Sequence, residues 1–426
     1  MKVLIIGGGG RCHAIAEALR RDPQVKGIIC APGNAGMARI ARTAAIRETD
    51  VDALLELALR EGVGLTVVGP EAALAAGLAD RFRESGLPVF GPSAAAARIE
   101  TSKEFAKRLM LSAGIPTASY RVFTDCAEAS EWVRANPLPA VVKYDGLAAG
   151  KGVVVARTYA EADRALRDML VGGRFGEGRA VVEEYLEGPE FSLMCFVSGR
   201  QVWPMPAAQD HKRAFDGDRG PNTGGMGAYT PLPFLTDEDV RYALERIMVP
   251  AAGALADMGC PFNGVLYGGL VKTAEGIKVI EFNARFGDPE TEVVLPLLES
   301  PAGKLLRDIA LGRSVEPRWS ADAVCGVVLA AEGYPGPYRK GMPVKFPERP
   351  RGTVYHMGTA ESDGGTVTAG GRVAICVGRG ATLQQAREAA MADAAAVECS
   401  GLFHRSDIGW QAGLCPARTE KETVKN

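Results

Sequence analysis

The chain has 426 residues, of which 47% are hydrophobic and 23% are charged, and its formal net charge is −2. This composition is that of an ordinary globular protein with enough apolar material for more than one core, and it excludes a disordered, collagenous or fibrous chain. Because the chain has neither a basic excess nor an acidic tail, nothing in it points to nucleic acid or to a basic partner, and any anionic ligand must be held by local positive groups.

The first hundred residues alternate between predicted strands and predicted helices. Alternation of this kind is typical of a parallel sheet with helices on both faces. The predicted strands are Lys2–Ile6, Val25–Cys30, Leu65–Val68 and Val89–Phe90, and the predicted helices are His13–Arg21, Val51–Arg60 and Ala72–Glu84.

The pattern changes from Thr101 onward, where shorter strands and longer loops are expected. A long polar, glycine-rich loop is predicted over Asp210–Thr230, and the stretch Ser314–Ser320 is predicted to be a domain boundary. In chain order, the predicted elements of this part are helix Lys103–Ser112, strands Ala140–Tyr144 and Gly152–Ala156, helix Tyr159–Leu170, strands Ala180–Glu184 and Glu190–Val197, helix Asp237–Ala256, strands Gly264–Lys272, Lys278–Phe282 and Arg372–Val377, and helix Leu383–Glu398.

Cysteine usage and hydropathy indicate the compartment. Nine cysteines are scattered without a single Cys-x-x-Cys pair, which argues against a disulfide framework or a thiolate zinc site. Free thiols in a reducing cytoplasm are the simpler interpretation. No apolar run approaches the ~18 residues that a membrane helix needs, and the start of the chain is typical of a strand rather than a signal peptide.

Four consecutive glycines, Gly7–Gly10, separate the first predicted strand from the first helix. Such a turn lets backbone N–H groups approach a phosphate at a helix N-terminus, and Arg11 would help to hold it. Dinucleotide binding is disfavoured because the third glycine of that fingerprint is missing and no acidic residue ends the second strand. Two interpretations remain, which are a ribose-phosphate site and a tight turn without a ligand.

Two further segments are candidates for binding a nucleotide. Lys143 and Lys151 flank a loop of glycine and alanine between two predicted strands, which is not a Walker P-loop but could close over a triphosphate as a lid. Several acidic residues over Glu183–Glu190 could accept hydrogen bonds from an adenine amine and from ribose hydroxyls. The alternative interpretations are a solvated hairpin tip and a charged exposed turn.

The most specific pattern surrounds a predicted strand near residue 280. Strand alternation puts Glu281 and Asn283 on one face, with Ile280 and Phe282 on the other. A carboxylate and an amide oxygen two residues apart are hard ligands that suit Mg²⁺ bridging phosphates. The following Arg285 suits a carboxylate or an acyl phosphate. An edge strand with a polar face is the alternative.

Dense charge and glycine over Asp210–Gly227 suggest a loop that closes on a small charged molecule, with a mobile surface loop as the alternative. Taken together and in this order, the segments closely resemble the phosphoribosylamine–glycine ligase (glycinamide ribonucleotide synthetase) family of ATP-grasp enzymes. The matching pieces include Gly9–Ala14, Val68–Glu71, Phe90–Ser93, Ser102–Lys107, Asp145–Val153, Gln209–Arg213, Gly220–Tyr229, Gly264–Gly269, Glu281–Glu292, Tyr334–Gly336 and Arg405–Gly409.

The resemblance implies an α/β and α+β multidomain fold. An N-terminal parallel α/β domain (1–100) precedes an ATP-grasp domain (101–316) with a mobile lid subdomain (about 117–187), and a mostly β C-terminal domain (317–426) follows. The implied reaction joins glycine to 5-phosphoribosylamine, with ATP as co-substrate, through glycyl phosphate in purine biosynthesis. The chain is expected to work in the cytoplasm as a monomer or weak homodimer, without nucleic acid or membrane.

The resemblance also implies roles for residues. The implied catalytic residues are Arg285, Asp210 and Lys143, and Glu281 and Asn283 would bind Mg²⁺ or Mn²⁺. The implied ATP contacts are Lys103, Lys143, Gly150, Lys151, Gly152, Glu183, Glu184, Leu186 and Glu190. The implied contacts with the other substrates are Gly9, Gly10, Arg11, His13, Asp210, Lys212, Asn222, Gly224, Gly225 and Arg285.

One departure from the family pattern keeps a second function open. The family usually has glutamate where this chain has Cys12, which is expected to remove a charge beside the presumed ribose-phosphate site. A relative that joins a different amine or carboxylate in a secondary pathway is therefore the alternative enzyme. A binding protein that has lost catalysis is disfavoured because Lys143, Glu281 and Asn283 are all present.

Overall fold

The computed structural model describes residues 1–146, 152–171 and 178–413. The N-terminal part confirms the predicted parallel sheet, whose strand order is β3-β2-β1-β4-β5. Its elements are β1 (Lys2–Gly7), α1 (Gly10–Arg20), β2 (Gly27–Pro32), β3 (Arg42–Thr43), α2 (Val51–Glu61), β4 (Leu65–Val68), α3 (Glu71–Ala75), α4 (Leu78–Glu84), β5 (Val89–Phe90) and α5 (Ala94–Thr101).

The single helix predicted over Ala72–Glu84 is wrong, because the segment forms the two helices α3 and α4. Gly77 lies between them with a φ of +78°, in the left-handed region that breaks a helix. Helical periodicity continues across this glycine in the sequence, so the periodicity alone did not show the break.

A small subdomain follows helix α6 (Lys103–Ser112). Its antiparallel sheet has the order β6-β9-β7-β8, and two helices cover one face, so that residues such as Phe123, Val142 and Leu166 form a separate core. The capping box of Thr158 and Glu161 begins the second of these helices. The elements are β6 (Tyr120–Phe123), α7 (Cys126–Arg134), β7 (Ala140–Tyr144), β8 (Val153–Ala156), α8 (Tyr159–Leu170) and β9 (Ala180–Glu184).

The segment predicted as a loop over Asp210–Thr230 instead contains short strands, which is a correction to the sequence analysis. The strands after β9 are β10 (Glu190–Gly199), β11 (Gln201–Pro204), β12 (Gln209–Asp210), β13 (Arg213–Phe215), β14 (Arg219–Asn222) and β15 (Gly227–Thr230). Strands β13 and β14 form a hairpin, whereas β12 and β15 join a sheet of the C-terminal part. Strands β12 to β15 are only two to four residues long and carry no regular alternation, which explains why the sequence pattern did not show them. Strand β15 also pairs with the distant strand β18 (Ala323–Ala331).

A second antiparallel sheet forms the floor of the molecule's central cavity. Its order is β11-β10-β16-β17, and the long strands β10 and β16 pair from Glu190 with Val271 to Gly199 with Phe262. A continuous helical segment crosses it, with a π-helical stretch over Leu244–Met248. The added elements are α9 (Asp237–Ala243), α10 (Val249–Asp257), β16 (Phe262–Thr273) and β17 (Gly276–Asn283).

The C-terminal part is built on a six-stranded antiparallel sheet. Its order is β12-β15-β18-β22-β19, and β23 pairs with β18 beside them. Among the described ranges, no helix has the length and apolar character needed to cross a membrane. The remaining elements are α11 (Glu290–Val294), α12 (Ala302–Ala310), β18 (Ala323–Ala331), β19 (Thr353–His356), β20 (Thr359–Ser362), β21 (Gly365–Thr368), β22 (Arg372–Gly380), α13 (Leu383–Ala395) and β23 (Leu402–Phe403).

Candidate active site

A cavity of about 500 Å³ lies where the three parts of the molecule meet. Its walls come from the N-terminal domain, from both antiparallel sheets of the middle part, from the β13–β14 region and from the C-terminal part. Its lining includes Arg11, Glu71, Glu100, Lys103, Lys143, Glu183, Glu190, Asp210, Lys212, Asn222, Gly224, Tyr267, Glu281, Asn283, Arg285, Asp288, Glu290, Tyr334 and Arg372.

The carboxylate of Glu281 lies at the end of strand β17 beside a lysine of helix α6. Its Oε2 is 3.3 Å from Lys103 Nζ. Burial alone would raise the pKa of Glu281, but the nearby ammonium groups, with Lys103 the strongest, outweigh burial and lower the pKa to about 2. The carboxylate is therefore ionised and able to serve as a hard metal ligand at any physiological pH.

The predicted faces of strand β17 need one correction. Glu281 and Asn283 both line the cavity and Phe282 is fully buried, as alternation requires, but Ile280 lies on the cavity wall as well. The cause is a register shift in the ladder, since Gly269 pairs with Glu281 while the next residue, Leu270, pairs with Val279. Such a bulge inserts one residue and turns two successive side chains towards one side.

A buried ion-pair cluster forms the wall beside the small subdomain. Glu183 Oε2 accepts from Lys143 at 2.9 Å and lies 3.1 Å from Lys107 Nζ. Lys143 also donates to the backbone oxygen of Ile280 at 3.0 Å, which ties the two antiparallel sheets together. Burial lowers the pKa of Lys107 to about 8, against the opposing effect of Glu183. The cluster fixes Lys143 on the cavity wall.

The same wall also carries apolar residues. The side chains of Val141, Val153, Val155 and Leu186 line the cavity, together with the acidic Glu184. Glu184 Oε1 accepts from the backbone N–H of Ser119 at 3.0 Å. Mostly apolar walls with a few polar groups at the edge are typical of pockets that bind small molecules.

A second acidic cluster surrounds Lys212 on the floor of the cavity. Lys212 Nζ lies 2.7 Å from Glu190 Oε2 and 3.6 Å from Asp210 Oδ1. Burial, together with the negative charges of Glu290 and Glu190, raises the pKa of Asp210 to about 7, while Lys212 only partly opposes these effects. Asp210 is thus the cavity carboxylate whose charge changes near neutral pH.

Beneath this cluster, three hydroxyl and carboxyl groups form a closed hydrogen-bond network. Tyr267 Oη donates to Glu290 Oε1 at 2.5 Å, and Ser192 Oγ lies 2.6 Å from Tyr267 Oη and 3.1 Å from Glu290 Oε1. Burial, reinforced by Glu290, raises the pKa of Tyr267 well above its ordinary value. The tyrosine is therefore a fixed neutral donor at the cavity floor.

Arg285 lies between two carboxylates of the N-terminal domain. Its Nη2 is 2.9 Å from Glu100 Oε1, its Nε is 3.4 Å from Glu71 Oε2, and its Nη2 also reaches Asn283 Oδ1 at 3.4 Å. Burial opposes the charge, but Glu100 and Glu71 together raise the pKa of Arg285 above its ordinary value. The guanidinium therefore joins strand β17, which carries Asn283, to the N-terminal domain.

The N-terminus of helix α1 faces a carboxylate of the middle part. Asp288 Oδ2 accepts from the backbone N–H of Arg11 at 3.4 Å and lies 3.5 Å from Arg11 Nε, while its Oδ1 is 2.9 Å from Arg372 Nη2. Burial alone would raise the pKa of Asp288, but Arg372 and Arg11 outweigh it and lower the pKa. A carboxylate thus already lies at the helix end where the sequence analysis expected a ribose phosphate.

Several predicted substrate residues are not brought to the cavity wall. His13 is buried, and its Nδ1 accepts from the backbone N–H of His356 at 2.8 Å. Gly10 is buried against Glu292, and Gly225 is covered by Pro289 and Arg372. Gly9 lies beside Asp288 but not on the wall of the cavity.

The remaining predicted residues lie as follows. Gly152 lines the cavity, whereas Gly150 and Lys151 lie outside the described residues. Cys12 is buried in the N-terminal core with its Sγ 3.5 Å from the backbone oxygen of Ile6, and burial raises its pKa to about 12. Cys12 therefore does not face the cavity. The replacement of the family's glutamate by Cys12 therefore does not take a charged group away from the cavity wall.

Sequence reasoning missed several residues of the cavity. Glu71 and Tyr334 belong to segments that the resemblance had marked, but no role had been attached to them. Arg372 and Glu100 carried no local signal, because each acts through partners far away in the chain. Within the described residues, no group of three or more His, Cys, Asp or Glu side chains could hold a metal by itself.

Models of three domains of the phosphoribosylglycinamide synthetase family match this chain. The N domain matches residues 1–100, the ATP-grasp (A) domain residues 101–291 and the C domain residues 324–411. The chain is 51% identical over 416 residues to phosphoribosylamine–glycine ligase of Halalkalibacterium halodurans, covering 97% of each chain. It is 48% identical over 421 residues to the ligase of that name from Streptomyces coelicolor, covering 97% of this chain and 99% of the other.

Solved structures support the same assignment. The crystal structure of phosphoribosylamine–glycine ligase from Thermotoga maritima matches with a TM-score of 0.84 at 35% identity, over 96% of this chain and 100% of that chain. A biotin carboxylase domain from Hydrogenobacter thermophilus, solved with MgADP, matches with a TM-score of 0.73 over 95% and 91% of the two chains, but its 18% identity shows the fold alone. The chain belongs to the phosphoribosylglycinamide synthetase family of ATP-grasp carbon–nitrogen ligases.

Proposed function

We propose that this chain joins glycine to 5-phosphoribosylamine and releases ADP and inorganic phosphate, as a step of purine biosynthesis. One observation carries the proposal. A single cavity holds the lysines and hard ligands that a metal–nucleotide complex needs, and Arg285 connects them directly to a second charged region that suits small ionic substrates. Family membership over nearly the whole chain supports the choice of substrates.

In the first step, a carboxylate oxygen of glycine attacks the γ-phosphorus of ATP. The bond between that phosphorus and the β–γ bridging oxygen breaks, ADP leaves, and glycyl phosphate is formed. Catalysis of phosphoryl transfer depends mainly on positioning and on neutralised charge. Lys103 and Lys143 supply ammonium groups beside the phosphates, and the planar guanidinium of Arg285 suits the carboxylate and the acyl phosphate.

The protein groups also fit a divalent cation, which we propose to be Mg²⁺ or Mn²⁺. Glu281 and Asn283 offer a carboxylate and an amide oxygen on one wall, and the low pKa of Glu281 keeps it ionised. When bound, the cation would neutralise charge on the nucleotide phosphates. Only two protein ligands are expected, because phosphates and water complete the shell of such an ion.

In the second step, the amine of phosphoribosylamine attacks the acyl carbon, and inorganic phosphate leaves as the amide forms. The ionised form of Asp210 can hold the ammonium group of glycine, so that its carbonyl faces the incoming amine. Gly152, Glu183, Glu184, Leu186 and Glu190 would contact the nucleoside. Asn222 and Gly224 line the end of the cavity near Arg11, where the phosphorylated sugar would bind.

The proposal is tested by the substrate dependence of ADP formation with purified protein. We expect ADP release with glycine and phosphoribosylamine together and only background release when either is omitted. The product mass should be that of glycinamide ribonucleotide. Release that needs a different amine would refute the proposal and support the alternative, a relative serving a secondary pathway.

We also propose that the enzyme works in the cytoplasm as a monomer or weak homodimer on small molecules alone. The scattered cysteines without a Cys-x-x-Cys pair motivate the choice of a reducing compartment. Light scattering after gel filtration at two protein concentrations tests the oligomeric state. A stable, concentration-independent higher oligomer would contradict it.

A further inference from the structure

Two side chains of the C-terminal part reach the cavity through a glycine-rich turn of the middle part. The turn is Thr223–Gly225, which follows the β13–β14 hairpin. The backbone N–H of Gly224 donates to Tyr334 Oη at 3.0 Å, and Arg372 Nη1 donates to the backbone oxygen of Gly224 at 2.6 Å. Gly224 is thus held at its backbone N–H by Tyr334 and at its backbone oxygen by Arg372.

The same arginine also holds the carboxylate in front of helix α1. Arg372 lies 2.9 Å from Asp288 Oδ1 and donates to the backbone oxygen of Asp288 at 3.0 Å. Asp288 in turn contacts Arg11. One guanidinium therefore fixes the distance between the Thr223–Gly225 turn and the Arg11 side of the cavity.

The glycines of the turn make this contact possible. A Cβ at Gly224 would lie 3.0 Å from Arg372 Cζ, and a Cβ at Gly225 would lie 2.4 Å from Pro289 Cδ. Gly225 also has a φ of +109°, in the left-handed region that favours glycine. A bare backbone lies against a flat guanidinium, so a lysine, which lacks the planar fork, could not hold both partners in the same way.

A chain of contacts runs from Arg372 to the strand that carries Glu281 and Asn283. Starting from Arg372, the links run through Asp288 and Arg11 to Glu71, then to Arg285, and only then to Asn283 on strand β17. Lys143 and Glu183 lie beyond that strand. The turn also meets Lys212, because the backbone N–H of Thr223 donates to the backbone oxygen of Lys212 at 2.7 Å. A change at Arg372 or Tyr334 therefore acts first on the turn, and a change at Arg372 acts on Asp288 as well.

We propose that Arg372 and Tyr334 are positioning residues for the phosphorylated amine substrate. They place the Thr223–Gly225 turn and Asp288 so that Asn222 and Arg11 meet a sugar phosphate at the correct separation. The inference rests on the proposed function, since it assigns this end of the cavity to the amine substrate rather than to glycine or ATP. It also gives a role to the Tyr334–Gly336 segment, which the sequence analysis marked without one.

The test is a comparison of Michaelis constants for three substrates in Arg372→Lys and Tyr334→Phe. For both variants we expect the KM for phosphoribosylamine to rise about tenfold or more, while the KM values for ATP and glycine and the kcat stay within about twofold. Tyr334→Phe keeps the ring and removes only the hydroxyl, so it remains informative if Arg372→Lys is poorly folded.

Arg379→Lys is the matched control. Arg379 lies on the same strand, β22, and also pairs with a carboxylate, Asp322, and with a backbone oxygen, that of Pro296, away from the cavity. KM values that stay unchanged in Arg372→Lys and Tyr334→Phe, as in the control, would overturn the inference. Equal changes in the KM values for phosphoribosylamine, ATP and glycine would overturn it as well. If the wild-type enzyme used a different amine, the proposed function would fail, and the same selective rise measured for that amine would still support the inference.

Discussion

The two ends of the cavity are built in different ways. At the end proposed for the nucleotide, Lys143, Glu183 and Glu281 lie on strands of two antiparallel sheets, of which the β7–β9 ladder is regular and the β16–β17 ladder has one register shift. The contact between the two sheets, from Lys143 to Ile280, joins residues 137 positions apart. At the amine end, the contacts join residues far apart in the chain, such as the backbone N–H of Arg11 with Asp288, 277 positions away, and Arg372 with Gly224, 148 positions away.

From this difference we expect the two ends to contribute differently, one mainly to the reaction rate and the other mainly to substrate binding. In the proposed function, the groups of the nucleotide end act directly on phosphates, so the loss of one group should reduce the reaction rate. The amine end is a network of ion pairs in which Arg11, Asp288 and Arg372 hold one another, so the loss of one member should change binding more than chemistry. The following experiments test this contrast.

The largest effect is expected for Glu281→Gln, with a loss of ~10²-fold or more in turnover. The amide removes the charge that a metal needs and leaves Lys103 without its carboxylate partner. The rate of ADP release at saturating substrates measures it. Glu275→Gln is the control, because Glu275 is an exposed carboxylate on the turn before the same strand and pairs with Lys278. A Glu281→Gln enzyme with near-normal turnover would remove the metal assignment.

A smaller effect is expected from the titration of Asp210. Its pKa is raised to about 7, so the ionised form that can hold the ammonium group accumulates only above that pH. We expect kcat/KM for glycine to rise about tenfold between pH 6 and pH 8 in the wild-type enzyme, since this ratio reports groups of the free enzyme.

Asp210→Asn should have a lower kcat/KM for glycine and should lose this inflection. Asp237→Asn, at an exposed position in the first turn of α9, should keep the wild-type profile. The same rise with pH in Asp210→Asn would show that another group titrates.

A separate effect concerns stability rather than activity, and it arises from the buried contact between His13 and His356 away from the cavity wall. Burial lowers the pKa of His13 to about 4 and that of His356 to about 3, below the ordinary 6.5. As the pH falls, the unfolded chain takes up protons before the folded one, so the free energy of unfolding decreases from about pH 6.5 towards pH 4. For one such histidine the decrease between pH 7 and pH 5 is roughly 2 kcal/mol.

Denaturant unfolding at several pH values measures this decrease. His13→Gln cannot titrate and should show a shallower dependence on pH, whereas His404→Gln, at a half-buried position outside the His13–His356 contact, should change it less. An identical slope in wild-type and His13→Gln would contradict the expectation.

Much of the nucleotide end could be predicted from the sequence. The strand Ala140–Tyr144 and the helix Lys103–Ser112 have the predicted bounds, because their local patterns are strong. Glu281 and Asn283 share the cavity wall, as alternation predicts. The position of Ile280 could not be predicted, since the bulge depends on the partner strand.

The amine end could be predicted only in part, for a physical reason. Arg11 and Asn222 were found because glycine-rich turns mark them, but Arg372 lies in an ordinary strand pattern and gains its role from Asp288 and Gly224. His13 lies in a segment typical of the family, yet its side chain is buried against His356. Only the three-dimensional arrangement shows which polar residue of such a segment faces the cavity.

Strand β15 has a consequence for how the enzyme is made. It lies between β12, which carries Asp210, and β18, so that Gly227 pairs with Val327 one hundred positions later. The ribosome must therefore translate most of the message before the sheet that supports Asp210 can close. A fragment ending before Ala323 would lack this neighbour as well as Tyr334 and Arg372, so the C-terminal third belongs to the catalytic unit rather than being a detachable appendage.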